Sequence, residues 1–124
     1  MKTSELTGAA LDWTVAKCEG VGEGSPRFME IFKHQSLAGK GYCYSRSWAQ
    51  GGPIIEREWI ELTLNTDPGG GEWVAQIADD VPDGYHSASG PTPLIAAMRC
   101  YVASKLGDDI EVPEELRVYQ LQTN

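Results

Sequence analysis

The segment from Thr92 to Gly107 constrains the fold of this chain more than any other, because it carries a helix with both its start and its stop. Thr92 is a good N-cap, Pro93 suits the first helical position, and Gly107 can take the left-handed conformation that ends a helix. Between them Leu94, Ile95, Met98, Tyr101, Val102 and Leu106 form a broad apolar face. Ala96, Cys100, Ala103 and Gly107, all small, form a second stripe at spacings of four, three and four. Such a stripe lets another backbone come close. The first helix of the chain and the same helix of a second copy both fit there.

That first helix is read from about Leu6 to Cys18, with Ser4 or Thr7 as its cap and Gly20 as its end. Leu11, Val15 and Cys18 share one stripe, while Leu6, Ala10 and Trp13 share nearly the opposite one. A helix covered on one side needs a single stripe. The second one packs in the core or meets another segment, a ligand or a second subunit.

Strand signals lie between the helices. Ile60, Leu62 and Leu64 alternate with polar residues in the run from Trp59 to Leu64, the pattern of a strand with one buried face. Asn65 to Gly71 is a turn rich in Gly, Asp and Pro, and Glu72 to Ala78 resumes as a strand, giving a hairpin. Arg27 to Lys33 reads as a further strand and Asp79 to Gly90 as a long loop. Pro113 starts a short turn in a tail whose Val118, Tyr119 and Leu121 can pack back. The expectation is an α+β fold in one domain, 1–124. A small, mostly antiparallel sheet with its hairpin at about 58–78 packs against two main helices, at about 6–18 and 93–106.

The candidate binding segment is Trp48 to Arg57, which reads Trp-Ala-Gln-Gly-Gly-Pro-Ile-Ile-Glu-Arg. Gly51 and Gly52 allow close approach or positive φ, and Pro53 fixes direction and biases Gly52 away from the α region. We read a shaped binding loop. Tyr44 and Trp48 offer π faces for a planar base, and Arg46, Gln50 and Arg57 offer hydrogen-bond donors. The bland alternative makes Trp48 a core aromatic beside a tight turn. A second candidate is the start of the late helix at Gly90 and Thr92, where free N–H groups suit an anion. Two prolines and the cap remove donors there, which favours a plain helix start.

Composition excludes several classes. Of the net charge of −8, residues 1–62 carry −1 and residues 63–124 carry −7. No basic stripe is visible, so duplex nucleic acid is not an expected partner, although the phosphates of a small nucleotide remain within reach of a few local donors. Cys18, Cys43 and Cys100 form no CxxC pair, and with His34 and His86 alone no zinc spacing exists, so no metal or cofactor is expected. The paired carboxylates Asp79-Asp80, Asp108-Asp109 and Glu114-Glu115 read as solvated surface, and no nucleophile motif accompanies them. Gly69-Gly70-Gly71 lacks the Lys-Ser/Thr of a phosphate loop. No apolar run suggests a signal peptide or a membrane span, and a reduced cytoplasm is the expected setting.

Three blocks together resemble the NinX-like family of phage and prophage proteins: Met1 to Trp13, Trp48 to Glu58, and Gly90 to Gly107. Glu111-Val112-Pro113 also fits, whereas 21–40, Tyr44 to Ser47 and 79–88 depart from the pattern. The resemblance implies a small accessory protein of tailed phages, similar to compact phage α/β sandwich domains, and it carries no catalytic residues. The leading expectation is a non-enzymatic binding protein in the host cytoplasm, a counter-defence sponge for a small nucleotide signal. The alternative is an adaptor or inhibitor whose acidic half meets a host protein, and a nucleotide-cleaving enzyme ranks third. The small stripe and the Trp13 stripe also suit a homo-oligomer.

Overall fold

The computed structural model describes residues 2–20, 43–66, 71–78 and 84–112. The expected strand at 27–33 and the tail from 113 onwards lie outside them. A one-turn 3-10 helix at Thr3–Glu5 leads into α1, Gly8–Cys18. Then come α2 (Trp48–Glu58), β1 (Glu61–Leu64), β2 (Trp73–Ala78), β3 (Tyr85–Gly90) and α3 (Pro93–Leu106). The strands form an antiparallel sheet in the order β1-β2-β3. The fold is α+β, as its sequence leads one to expect, with three helices among the described residues where two main ones were expected.

α3 is the centre of the molecule. It lies across β2 and β3 and carries α1 and α2 on its other sides. Met98, Val102, Ala97 and Cys100 are fully buried and Tyr101 nearly so; each of the larger ones contributes about 1.5–3 kcal/mol of transfer free energy. Its start matches the local signal, and its end falls at the expected glycine, which has positive φ but, at ψ −166°, is extended rather than left-handed helical. Thr92 Oγ1 accepts from Ile95 N at 3.1 Å, and Gly107 has φ 89°.

Part of the small stripe, Ala96 and Cys100, lies against β3, and α1 also packs on α3. Cys100 Sγ donates to His86 O at 3.3 Å, and a Cβ on Gly90 would stand 2.9 Å from Ala96 N. Both apolar stripes of α1 are likewise covered within one chain. Leu6, Ala10, Leu11 and Val15 are fully buried, and half-buried Trp13 carries the Lys17 ammonium 5.4 Å from its ring centroid. Packing within one chain buries most of both features offered for a homo-oligomer, leaving Gly107 exposed and Trp13 half-buried.

The expected loop at 79–90 is corrected by β3. Tyr85, Ser87 and Ser89 are exposed while His86, Ala88 and Gly90 turn inward, a period of two carried by side chains too small to show it as hydrophobic alternation. Small residues are needed because Ala75 pairs with Ala88 and Trp73 with Gly90 beneath α3. Arg99 ties the layers together, with Nε donating to Leu6 O at 2.7 Å and Nη1 to Ser89 O at 2.9 Å. Burial lowers its pKa from the ordinary guanidinium value.

Candidate functional site

The segment read as a binding loop is the helix α2. Its Gly-Gly-Pro serves packing. A Cβ on Gly51 would stand 2.5 Å from Tyr44 O and 2.7 Å from Leu94 Cδ2, so glycine lets α2 close on α3 and on the preceding turn. Gly52 relieves the clash that a proline imposes on a preceding helical residue, which is how Pro53 is accommodated inside the helix. Exposed Ala49 carries the carbonyl that loses its partner to Pro53, and water can satisfy it.

At the N-terminal end of α2, Gln50 is the candidate whose side chain is shown holding the backbone. Gln50 Oε1 accepts from Cys43 N at 2.7 Å, and Cys43 O accepts from the N–H groups of Arg46 and Ser47. Fully buried Asp12 accepts from Ser45 N at 2.8 Å and lies 3.6 Å from the Arg46 guanidinium. Tyr44 is buried, so its ring is no stacking platform, whereas Trp48 is 55% exposed. Gly90 and Thr92 are a close-packing site and a cap, as above. Arg57 sits at the far end of α2, about 14 Å along the axis from Trp48 at 1.5 Å per residue. The candidate residues therefore do not converge on one pocket.

The far end is where a cleft opens. α2 ends in a Schellman motif, with Ile60 N donating to Ile55 O at 3.0 Å and Trp59 N to Glu56 O at 3.4 Å. Glycine is the usual residue at the left-handed position of this motif, yet here it is Trp59, at φ 55° and ψ 48°. The strand begins only at Glu61, so Trp59 and Ile60 belong to this cap and not to the strand where their sequence pattern put them. The indole is 87% exposed. It stands at a cleft of 370 Å³ lined also by Arg57, Glu58, Ile77, His86, Ser104 and Lys105. That size falls in the range of small-ligand pockets.

The charges beside the cleft are organised by three helices. Arg57 grips Glu19, just past the end of α1, with Nη1 at 3.0 Å and Nη2 at 2.7 Å, and its Nε donates to Glu58 at 2.9 Å. The Tyr101 hydroxyl donates to Glu19 and accepts from Arg57 at 3.2 Å. Lys105 Nζ stands 3.4 Å from the other Glu58 oxygen. The hydrogen bonds from Arg57 hold the carboxyls of Glu19 and Glu58 below the usual carboxylate range. Burial, then the bond to Glu19, raises the Tyr101 phenol above its ordinary value. Burial also pushes the Cys18 and Cys100 thiols up to about 11, the opposite of an activated nucleophile.

Glu19 makes a stability test available. Its folded pKa lies below the unfolded value of about 4.3, so its contribution is complete above that pH and is lost as the pH falls through the lower, folded value. Glu19→Gln is expected to lower the urea midpoint at pH 7 and to flatten the loss of stability below about pH 4.5. Parallel pH curves for the two proteins would show that the Arg57–Glu19 pair contributes nothing.

Sequence reading found Arg57 but missed Trp59, Glu58 and Lys105. Glu19, Tyr101 and Lys105 come from segments remote in sequence, and Trp59 from a helix end whose sequence looks like a strand. Among the described residues, no cluster of His, Cys, Asp and Glu could hold a metal ion, and no helix is long and apolar enough to cross a membrane. A comparison with curated proteins found no match. The family model described as Bacteriophage P22, NinX matches residues 2–105, which takes in the three described helices except for the last residue of α3, the sheet, and every residue of the cleft, and the chain belongs to that phage family.

Proposed function

We propose that this phage protein is a non-enzymatic binding protein that sequesters a small, planar, nucleotide-like ligand in the host cytoplasm, where it withholds a host immune signal. The observation that carries the reading is Trp59. A bulky aromatic in the left-handed region costs about 1–2 kcal/mol, and an 87% exposed side chain recovers little of that by packing. Strain of this kind persists where the side chain has a use in that position. An exposed π face beside a 370 Å³ cleft with a lysine on its rim suits a base stacked on indole. Protonated thiols at Cys18 and Cys100 and the pairing of the glutamates with Arg57 favour binding over turnover.

The experiment is a titration of the purified chain with cyclic nucleotides and ADP-ribose derivatives, read by calorimetry and tryptophan quenching. Saturable binding without a chromatographic product is expected. A broad panel with no binding removes the reading, and release of a product revives the enzymatic one. The adaptor reading keeps one observation in its favour, the exposed acids Asp108, Asp109 and Glu111 after α3. Charge reversal there would abolish capture of a host protein while Trp59→Ala would not.

A further inference from the structure

We infer that the cleft, on the binding reading above, selects ligands carrying a single negative charge, a phosphodiester in preference to a polyphosphate, and that Glu58 sets this limit. The inference rests on which donors remain for a ligand. Four of the five Arg57 N–H groups point at Glu19, Glu58 and Tyr101. Its guanidinium is a structural clamp with little left to offer a phosphate. Ser104 Oγ donates to Tyr101 O at 2.7 Å, so its hydroxyl is left to accept. Lys105 differs. Its ammonium is half-exposed, has three donors, and among the described residues pairs with Glu58 and stands 5.9 Å from the Tyr101 ring centroid.

The local charge has the same consequence. Arg57 and Lys105 are matched by Glu19 and Glu58, and the hydrogen bonds from Arg57 keep both carboxylates ionised. Among the described residues the site has no surplus positive charge, and it sits on a chain of net charge −8. One phosphodiester oxygen can take the outward N–H groups of Lys105. Each further charge on the ligand finds no other cation among the described residues of the cleft, and Glu58 repels it at close range. A Glu58 carboxylate in the cleft is therefore a filter against polyanions, held in place by Arg57 and Lys105.

The test compares 3′,5′-cyclic AMP, AMP and ATP, which share a base and carry one, about two and about four negative charges, together with the guanine and uracil series. Affinity for the intact chain is expected to fall along each series that binds, by about tenfold or more from first to last. Glu58→Gln, nearly isosteric, should shrink that gap severalfold, and Lys105→Gln should weaken the cyclic nucleotide. High salt should narrow the gap in the unaltered protein, which keeps the test valid should a variant fold poorly. A triphosphate bound as tightly as the cyclic nucleotide, or a gap insensitive to both salt and Glu58→Gln, overturns the filter and leaves the binding reading standing. No binding of any nucleotide to either the wild type or Glu58→Gln overturns the binding reading itself.

Discussion

Trp59→Gly is expected to yield a protein that is more stable and binds its ligand worse. In the left-handed conformation at φ 55°, a residue with a Cβ costs about 1–2 kcal/mol that glycine does not. Glycine gives back part of that gain, about 0.5–1 kcal/mol, through the greater freedom of its unfolded chain. The indole is 87% exposed, so its removal forfeits little buried area. The balance is a gain of roughly 0.5–1 kcal/mol, a rise of roughly 2–4 °C in Tm for a chain of this size. Loss of the stacking face weakens binding by about 1–3 kcal/mol, roughly fivefold to a hundredfold.

Trp59→Ala separates the two effects. It removes the ring but keeps the Cβ in the left-handed region, so binding falls while stability does not rise. Thermal melts and ligand titration of the three proteins decide the matter. Should glycine destabilise the fold, the indole is holding the end of α2 and the strain has a structural purpose. Should it leave binding intact, the ligand sits elsewhere.

What could be read in the sequence divides by the range of the interactions involved. α3 was legible because Thr92, Pro93 and Gly107 act on their own neighbours, and the Ile95 N to Thr92 Oγ1 bond is three residues long. The β1-β2 hairpin was legible for the same reason, through alternation and a glycine-rich turn. α2 was not. Gly51 exists for the Leu94 side chain and the Tyr44 carbonyl, and no local pattern says so; without those contacts Gly-Gly-Pro reads as a loop. β3 was hidden because the space beneath α3 admits only small side chains. The cleft was half legible: Arg57 drew notice as a donor, but Glu19, Tyr101 and Lys105 reach it only through the packing of α1 and α3.

The two adjacent glycines of α2 are expected to respond very differently to the same substitution. Gly51→Ala places a Cβ 2.5 Å from Tyr44 O and 2.7 Å from Leu94 Cδ2. The carbonyl cannot retreat easily, because Ser45 N is held by buried Asp12 and Cys43 N by Gln50. α2 must then lift from α3, a loss of about 3 kcal/mol, at the upper end for overpacking. At Gly52 the nearest atom is Trp48 Cε3 at 3.9 Å, ordinary contact. Helix propensity favours alanine there by about 1 kcal/mol, but the Cβ restores the clash with Pro53, so Gly52→Ala alone should change stability by less than about 1 kcal/mol. Pro53→Ala returns an N–H to the Ala49 carbonyl and should stabilise by about 1–3 kcal/mol. With Pro53 gone, Gly52→Ala should add about 1 kcal/mol more. Urea midpoints of these four variants rank the effects. If Gly51→Ala is as mild as Gly52→Ala, the close approach of α2 to Tyr44 and Leu94 is not what the first glycine is for.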